Sequence, residues 1–330
     1  TIGEIARQAA VSKGTVSRVI NGRSTVATAT RENVLAVMKR LGYEPDPVAR
    51  ELSMRTKHTL GIWVGEGENR LSPYFNLIWR ALLREMQLRA TQFIELPPDI
   101  TSVRRRIDAV LVFNCADVEA RIALLAKRGI PAVFIGHYPG VSCVGPDDVG
   151  GGRLAATSLL ARGHRQMLYL SLAEERLQWV HDRASGFTAA LNESGFEDAQ
   201  VAFVRGEGTV LGGYRLMRDA WRAGHRPTGV FCATDEMAIG AIGALADLGI
   251  AVPSQVSVLG FDGLVELHPG LASVAQDVPG IAHEAVSLAL ETIDAREADG
   301  AKPPTIRQLI VPVALLEGET LGPAPARPRT

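Results

Sequence analysis

Hydrogen-bonding side chains are concentrated between residues 12 and 21, in the segment SKGTVSRVIN. The side chains that can donate a hydrogen bond there are Ser12, Lys13, Thr15, Ser17, Arg18 and Asn21. Lysine and arginine can donate to the acceptor edge of guanine, whereas hydroxyl and amide groups suit phosphate oxygens or adenine. The segment therefore has the chemistry of a surface that binds double-stranded DNA. An ordinary solvated helix face would contain the same residue types, and that alternative stays open.

Apolar residues around this segment predict the helices that would present it. Ile5 and Ala9 share one face of a first short helix, Ser12 can cap a second, and Val16 continues that second helix. A third helix is predicted over residues 28–41. Two helices of about eight residues separated by a turn of about three form a helix-turn-helix. In that unit the second helix is the one that enters the major groove of DNA.

The charge distribution separates the same region from the rest of the chain. Residues 1–60 carry ten lysines and arginines against five acidic residues, while the whole chain has a formal net charge of -1. The remaining residues therefore carry a net charge of -6. A small basic end on an acidic body is typical of a protein that binds a polyanion at that end. A solvated basic face is again the alternative.

Length and composition limit the class of protein. The chain has 330 residues, 46% of them hydrophobic and 22% charged, which predicts two or more folded domains rather than disorder. The sequence lacks an apolar run of about eighteen residues and a secretory signal at its start, so we expect no membrane partner and a cytoplasmic location. Three scattered cysteines without metal-binding spacing predict buried thiols, not a disulfide or zinc site.

From Leu60 onward, short apolar runs alternate with helical stretches. The runs are LGIWVG, AVLVF, PAVFIG, QMLYLSL, VAFV, GVFCA and VSVLGF. Helices are predicted near residues 75–90, 117–128, 150–162, 183–194, 211–223, 236–248 and 280–297. Repeated strand-helix units predict two α/β lobes, each a doubly wound parallel sheet.

Polar residues follow the predicted strands at their carboxyl ends, where open α/β sheets bind ligands. Asp147 and Asp148 follow the segment CVGP, Asp235 follows GVFCAT, and Asp262 follows VSVLGF. Arg183 opens a predicted helix, and Gln276 lies in a segment that crosses between the lobes. These residues are candidates for a small-molecule site. An internal salt bridge or a loop cap is the alternative for each.

Motifs of common enzyme classes are incomplete or missing. Gly206 and Gly208 begin a GxG motif, but Leu211 replaces the third glycine of a dinucleotide-binding loop. A glycine triplet at residues 150–152 is not followed by the Gly-Lys-Ser/Thr of a phosphate-binding loop. The sequence contains neither GxSxG nor HExxH, and its histidines lack metal-ligand spacing. We therefore expect no enzyme activity, no catalytic residue, no metal and no cofactor.

Two sets of motifs resemble the lactose/galactose-repressor (LacI/GalR) family of bacterial transcription regulators. In the first part of the chain, V-S-x-x-T-V-S-R-V-x-N, T-R-x-x-V and G-Y-x-P follow the family's order and spacing. In the body, SPYF, RGH, DRASGF, ATDEMAIGA and VSVLGFDG look like the family's effector domain. The resemblance covers nearly the whole chain. It implies an N-terminal all-α helix-turn-helix head and a two-lobe, periplasmic-binding-protein-like (type I) α/β core.

For the head, the resemblance implies that Lys13, Gly14 and Arg18 occupy base-reading positions. Gly14 has no side chain to donate a hydrogen bond, so specificity should depend on the other two. The resemblance also implies a hinge helix that pairs with its dimer mate in the minor groove, with Leu52 as an apolar wedge. Further DNA contacts are expected from Thr30, Ala49 and Arg50. A helix this short should be unstable alone, and a plain linker is the alternative.

For the body, the resemblance implies that Asp262 accepts from ligand hydroxyls or amines while Arg183 donates to an opposing oxygen. Stacking on a ligand ring is expected from Phe75 or Trp179. The full expected effector site is Tyr74, Phe75, Asp147, Trp179, Arg183, Thr234, Asp262 and Gln276. Two departures stand out. Residues 207–209 read Glu-Gly-Thr where many relatives have an aromatic platform, and segment 89–108 is shorter than the usual strand-helix unit.

The resulting domain prediction is a DNA-binding head at 1–44, a hinge at 45–58, an effector-binding and dimerisation domain at 59–322 and a disordered tail at 323–330. Within the body, the N-lobe is predicted at about 59–162 and 277–305, and the C-lobe at about 163–276 and 306–322. The predicted function is a homodimeric repressor of a pseudo-palindromic operator, controlled by a small-molecule effector such as a sugar or sugar derivative. The alternative is a solute- or sugar-binding protein without DNA function, whose N-terminal helices serve dimerisation.

Overall fold

The computed structural model describes residues 2–20, 27–41, 58–65, 72–103, 106–113, 118–173, 177–196, 199–299 and 305–326. The chain forms two compact units, Thr1–Lys57 and His58–Thr330. We call the first unit the head and the second unit the body.

The head contains three helices, α1 (Ile2–Gln8), α2 (Lys13–Ile20) and α3 (Thr28–Arg40). Their apolar faces meet in a small core whose members include Ile5, Ala9, Val16, Val34 and Val37. The hydroxyl of Ser12 accepts a hydrogen bond of 3.1 Å from the backbone N–H of Thr15, so Ser12 caps α2 as its sequence position predicts. The described part of the head is therefore the expected three-helix arrangement.

The first sheet of the body is parallel throughout. Its strands are β1 (Thr59–Val64), β2 (Gln92–Glu95), β3 (Ala109–Phe113), β4 (Ala132–Ile135), β5 (Cys143–Pro146) and β11 (Gln308–Val311), in the order β11-β5-β4-β3-β1-β2. Its helices are α4 (Pro73–Leu88), α5 (Val118–Lys127) and α10 (Val278–Asp299). We call this assembly lobe 1.

The second sheet is parallel except at one edge. Its strands are β6 (Gln166–Leu172), β7 (Gln200–Gly206), β8 (Gly229–Cys232), β9 (Ser257–Asp262), β10 (Ala272–Gln276) and β12 (Val313–Leu316), in the order β12-β10-β9-β8-β6-β7. β12 runs antiparallel to β10. Its helices are α6 (Asp148–Ala161), α7 (Gln178–Glu193), α8 (Val210–Arg222) and α9 (Asp235–Asp247). We call this assembly lobe 2.

The lobe boundaries differ from the sequence-based ones in two places. Helix α6 was expected in the N-lobe because it follows β5, but Ala155, Ala156 and Leu159 on its buried face join the core of lobe 2. Residues 306–322 were expected in the C-lobe as one segment, but β11 pairs with β5 in the first sheet. An edge strand of four residues carries too little periodicity to reveal its sheet.

The chain passes between the lobes three times, and each passage is short. A single residue separates β5 from α6 (Asp147), β10 from α10 (Asp277), and β11 from β12 (Pro312). The Asp147 carboxylate accepts a hydrogen bond of 2.7 Å from Gly150 N–H, and that of Asp277 one of 2.9 Å from Gly280 N–H. In two of the three crossings, the crossing residue therefore also caps the helix that follows it.

Two glycines allow α6 and α7 to touch along their backbones. A Cβ atom at Gly152 would lie 2.1 Å from the carbonyl oxygen of Arg183, and one at Gly186 would lie 2.0 Å from that of Val149. Any larger side chain would force the helices apart. This contact fixes where Arg183, which lies on α7, stands relative to the start of α6.

The segment between α4 and β3 is reduced, as its length predicts. It contains the edge strand β2 and, among its described residues, one short 3-10 turn (Ile100–Ser102) in place of a full helix. Ile100 and Leu96 are nonetheless buried against the sheet. The short segment therefore still covers part of that face.

Candidate effector cleft and DNA-reading helix

A cavity of about 550 Å³ lies between the two lobes, at the carboxyl ends of their strands. Lobe 1 contributes Tyr74, Phe113, Ile135, His137 and Tyr138 to its wall, among others. The wall in lobe 2 includes Asp148, Leu172, Trp179, Arg183, Thr234, Glu236 and Asp262. Open α/β sheets bind ligands at this end, and the volume suits a small molecule.

Arg183 is the central cation of this wall and is only 4% exposed. Its Nε donates to Oδ1 of Asp148 at 2.8 Å, and its Nη1 lies 3.6 Å from Oδ1 of Asp262. Nη1 also donates to the carbonyl oxygen of Ala233, and the guanidinium lies 3.5 Å from the centre of the Phe261 ring. The group is thus held rigidly, with a carboxylate on either side.

Asp262 ends β9 with a backbone φ of 121°, a value that residues with a side chain rarely adopt. Its Oδ1 accepts a 2.8 Å hydrogen bond from Nε2 of Gln276. Within the described residues, Oδ2 of Asp262 and Oδ2 of Asp148 accept no hydrogen bond. Strained backbone at a ligand-lining residue is typical of a functional site.

The hydroxyl of Tyr74 donates a 2.8 Å hydrogen bond to Oε1 of Gln276. Tyr74 belongs to α4 of lobe 1 and Gln276 to β10 of lobe 2, so the bond spans the cleft. Burial raises the pKa of Tyr74, and the nearby charge of Asp262 raises it further. The tyrosine therefore stays a neutral donor at physiological pH.

The carboxylates beside the cavity share an unfavourable environment. Burial raises the pKa of Asp148 and of Asp262, against the lowering effect of the Arg183 charge on both. Burial also raises the pKa of Asp235 to about 6, although hydrogen bonds from Ser273 and from backbone N–H groups lower it. One arginine does not fully compensate this many buried acids.

Asp235 lies beneath the site rather than on its wall. It accepts hydrogen bonds of 2.7 Å from the Ser273 hydroxyl and 2.6 Å from the Leu264 N–H. Leu264 follows Asp262 by two residues, so Asp235 holds the loop that carries Asp262. Asp235 therefore positions Asp262 and does not itself line the cavity.

Six of the eight residues expected at the effector site line the cavity: Tyr74, Trp179, Arg183, Thr234, Asp262 and Gln276. The other two lie outside its lining. Phe75 turns to the core side of α4, where its ring packs 5.7 Å from both Trp79 and Phe113. Asp147 caps α6, so the neighbouring Asp148 is the carboxylate that reaches Arg183.

The aromatic platform that residues 207–209 lack is not replaced by a free ring. Gly208 lies against Leu172, whose Cδ2 would be 2.9 Å from a Cβ at that position. Trp179 stands near the guanidinium of Arg183, which lies 4.4 Å from its ring centre. The lobe 2 wall is therefore aliphatic beside Gly208, and Trp179 is the aromatic side chain that the described part of lobe 2 contributes to the lining.

In the head, helix α2 contains Lys13, Thr15, Ser17 and Arg18. Lys13 and Gly14 are exposed, and Thr30 on α3 is half-buried. The hydroxyls of Ser12 and Thr15 lie 3.0 Å apart and engage each other. Asn21, Ala49, Arg50 and Leu52, which were also expected to contact DNA, lie outside the described residues.

Three general properties of the described residues concern metals, membranes and cysteines. Across the described ranges, no three His, Cys, Asp or Glu side chains are grouped so that they could hold a metal ion. None of the helices in those ranges has both the length and the apolar content needed to span a bilayer. Cys143 and Cys232 are buried and free.

Comparison with known proteins connects both parts of the chain to one group. Residues 1–46 match the description "Bacterial regulatory proteins, lacI family", and residues 156–321 match "Periplasmic binding protein-like domain". The chain is 32% identical over 315 residues to the HTH-type transcriptional regulator GalR of Escherichia coli, covering 90% of each. It is 32% identical over 317 residues to the HTH-type transcriptional repressor PurR of Erwinia tasmaniensis, covering 91% of this chain and 92% of that protein.

A solved structure gives the same result for the fold. The structure described as "transcriptional regulator CelR-cellobiose complex" matches with a TM-score of 0.69 and 26% identity. The match covers 97% of this chain and 99% of that chain.

Proposed function

The chain belongs to the LacI family of bacterial regulatory proteins, and from this premise we propose how its head and its cleft work together. The protein is a DNA-binding transcriptional regulator, like the GalR and PurR proteins it resembles. As a homodimer, it represses from a pseudo-palindromic operator, with α2 of each head in the major groove. A small molecule in the interlobe cavity controls its affinity for that operator.

The observation that supports control by a ligand is the position of Arg183 between Asp148 and Asp262 on the cavity wall. Buried charges are costly unless they are paired and fully hydrogen-bonded. Here two carboxylate oxygens without donors face a cavity, so a ligand that supplies donors would satisfy them. The same arrangement contains no activated nucleophile beside a general base, and we propose that the cleft binds without catalysis.

Polyhydroxylated molecules fit these requirements best, so the proposed effector is a sugar or sugar derivative. Sugar hydroxyls can donate to Asp148 and Asp262 and accept from Arg183. The aliphatic side chain of Leu172 beside Gly208 offers the carbons of a sugar ring an apolar contact surface. A similar protein of known structure, CelR, is described in complex with cellobiose.

Coupling to DNA would run through the lobes and the hinge at residues 45–58. An effector changes the operator affinity only if it binds one lobe arrangement better than the other, and such coupling is typically about 1–3 kcal/mol. The hinge sequence is too short to form a stable helix alone. Lobe closure would therefore favour or oppose its folding on the operator. Because operator DNA is cytoplasmic in bacteria, we place the protein there.

A mobility-shift assay with fragments of the genome tests this function against the alternative of a solute-binding protein. The regulator should select particular fragments over competitor DNA, and a sugar found by thermal-shift screening should change that selection. Asp262→Ala should abolish the sugar response and leave operator binding intact. Failure to retain any fragment would support the solute-binding alternative, in which the head only dimerises.

A further inference from the structure

The charges on the cavity wall are unbalanced. Among the described lining residues, the carboxylates outnumber the single arginine, Arg183, and the single histidine, His137. The carboxylates are Glu119, Asp148, Glu207, Glu236 and Asp262. Glu207 is largely exposed at the rim and lies 3.9 Å from Arg215, so its charge is partly compensated. The imbalance is therefore concentrated in the deeper part of the cavity.

Two of these carboxylates share one cation at the base of the cavity. Arg183 is hydrogen-bonded to Asp148 at 2.8 Å and lies 3.6 Å from Asp262. Both aspartates are at most 5% exposed, so water screens their charges weakly. His137 donates its Nε2–H to the carbonyl oxygen of Pro146 at 2.6 Å and forms no ion pair with either aspartate. Two buried carboxylates at this base therefore share the guanidinium of Arg183, and His137 contributes only a weaker lowering of the pKa of Asp148.

Glu236 adds a third carboxylate from another element. It stands in the first turn of α9, is half-buried, and forms no ion pair or side-chain hydrogen bond within the described part of the chain. Burial raises its pKa, and the adjacent Asp235 raises it further. The charge of Glu236 also raises the pKa of Asp262, so the two groups repel each other. A positive charge placed between them would relieve that repulsion.

We propose that the effector is a cationic amino sugar whose ammonium group lies between Asp148, Glu236 and Asp262, while its hydroxyls meet the remaining polar groups of the wall. The inference rests on the proposed function and narrows its ligand class. An ammonium supplies three donors and one positive charge, which matches the free carboxylate oxygens and the excess of negative charge. Phosphorylated sugars and sugar acids would add to the repulsion.

Matched pairs of sugars that differ in one amino group provide the test. Calorimetric titrations of the full-length protein would compare glucose with glucosamine, galactose with galactosamine, and mannose with mannosamine, at a pH where the amine is protonated. In at least one pair, the amino sugar should bind at least tenfold more tightly. Its N-acetyl derivative, which has no charge, should lose this advantage. A neutral sugar that binds as tightly as its amine, or no binding by all three amino sugars, would overturn the proposal.

Glu236→Gln tests the charge at nearly constant volume. It should reduce the preference for the amine by several-fold and leave the affinity for the neutral sugar unchanged. Glu193→Gln serves as the matched control, because Glu193 lies on the surface at the far end of α7, paired with Arg153. It should leave the preference unchanged. Glu119 lies at the exposed start of α5 in lobe 1. Glu119→Gln should also reduce the preference for the amine, by a smaller factor than Glu236→Gln.

These outcomes separate the ligand class from the regulatory function. A neutral sugar that releases the protein from its operator would overturn the proposal of a cationic effector but would agree with the proposed regulatory function. An amine preference unaffected by both Glu236→Gln and Glu119→Gln would show that the carboxylates do not recognise the charge. Failure of the protein to select DNA fragments would instead contradict the proposed function, whatever the cavity binds.

Discussion

The hydroxyl of Tyr74 lies 2.8 Å from Oε1 of Gln276, and this hydrogen bond links α4 of lobe 1 to β10 of lobe 2. Gln276 also contacts Asp262, because its Nε2 donates a hydrogen bond of 2.8 Å to Oδ1 of Asp262. Asp262 in turn lies beside Arg183. A chain of polar contacts therefore connects the effector-facing charges of lobe 2 to a helix of lobe 1.

Tyr74→Phe should weaken the coupling between lobe arrangement and effector binding. The substitution removes one hydrogen bond, with a net value of about 0.5–1.5 kcal/mol, and keeps the ring in place. We expect the effector affinity to change by about two- to tenfold, measured by calorimetry. Thermal stability should change little. An unchanged affinity would mean that the bond does not distinguish the ligand-bound lobe arrangement from the free one.

Gly152→Ala should destabilise the body and disturb Arg183. The new methyl group would lie 2.1 Å from the carbonyl oxygen of Arg183, which forces α6 and α7 apart. A cost of about 3 kcal/mol or more is expected, measured as a lower urea midpoint. Gly243→Ala on α9 is the matched control, since its Cβ would meet only Tyr214 at 3.7 Å. That change should raise stability by up to about 1 kcal/mol.

Arg18→Ala and Lys13→Ala should reduce the discrimination between operator and random DNA. Each bidentate base contact contributes about 1–3 kcal/mol of specificity, and Gly14 at the neighbouring position contributes none. Competitive mobility shifts with operator and scrambled duplexes give the measurement. Lys39→Ala, in the last turn of α3, should leave the ratio unchanged. Equal losses on both duplexes would show that the altered residue contacts phosphate only.

Operator affinity should fall steeply with salt. A dimer that neutralises about 6–10 phosphates loses roughly 10³–10⁵ in affinity between 50 and 200 mM salt, because it releases condensed counterions. Titrations by fluorescence anisotropy over this range provide the slope. A flat response would exclude a basic head seated on the phosphate backbone.

The free energy of unfolding should depend on pH through Asp235. Its pKa is about 6 in the folded protein, above the ordinary value of 3.8, so between these values the folded state binds the proton more strongly than the unfolded state. Its contribution to stability is therefore largest below pH 4 and is lost as the pH rises through 6, on the order of 3 kcal/mol. Urea midpoints from pH 4 to 7, compared between the wild-type protein and Asp235→Asn, isolate this slope. Parallel curves would contradict it.

The sequence located the cleft better than it located the individual side chains. Asp262 could be found because it follows a buried strand, and topology brings it to the same edge as Arg183. The helix that was expected to open at Arg183 begins five residues earlier, at Gln178, so Arg183 lies in its second turn. The sequence did not reveal which of Asp147 and Asp148 enters the cavity, because helix capping decides that. His137 and Glu236 were missed as wall residues. The strand pattern indicates an end of the sheet but not the rotation of each side chain.

The domain boundaries show a similar limit. Helix α6 follows a strand of lobe 1 in the sequence, and only its packing partners assign it to lobe 2. The strands β11 and β12 have four residues each and lie at the edges of different sheets. Strands this short show no hydrophobic periodicity that would assign each of them to its sheet. Interpretations based on chain order fail where the chain changes sheet.

The three crossings of one residue each make the junction of the lobes a narrow pivot. Pro312 holds one crossing at a nearly fixed φ, and the caps formed by Asp147 and Asp277 anchor the other two. We therefore expect any rotation of the lobes to take place about a line near these residues, because the short crossings leave little slack for sliding. A small change of angle at such an axis would produce a larger displacement at the far end of lobe 1, so we expect the short crossings to set how far a bound ligand can move that end.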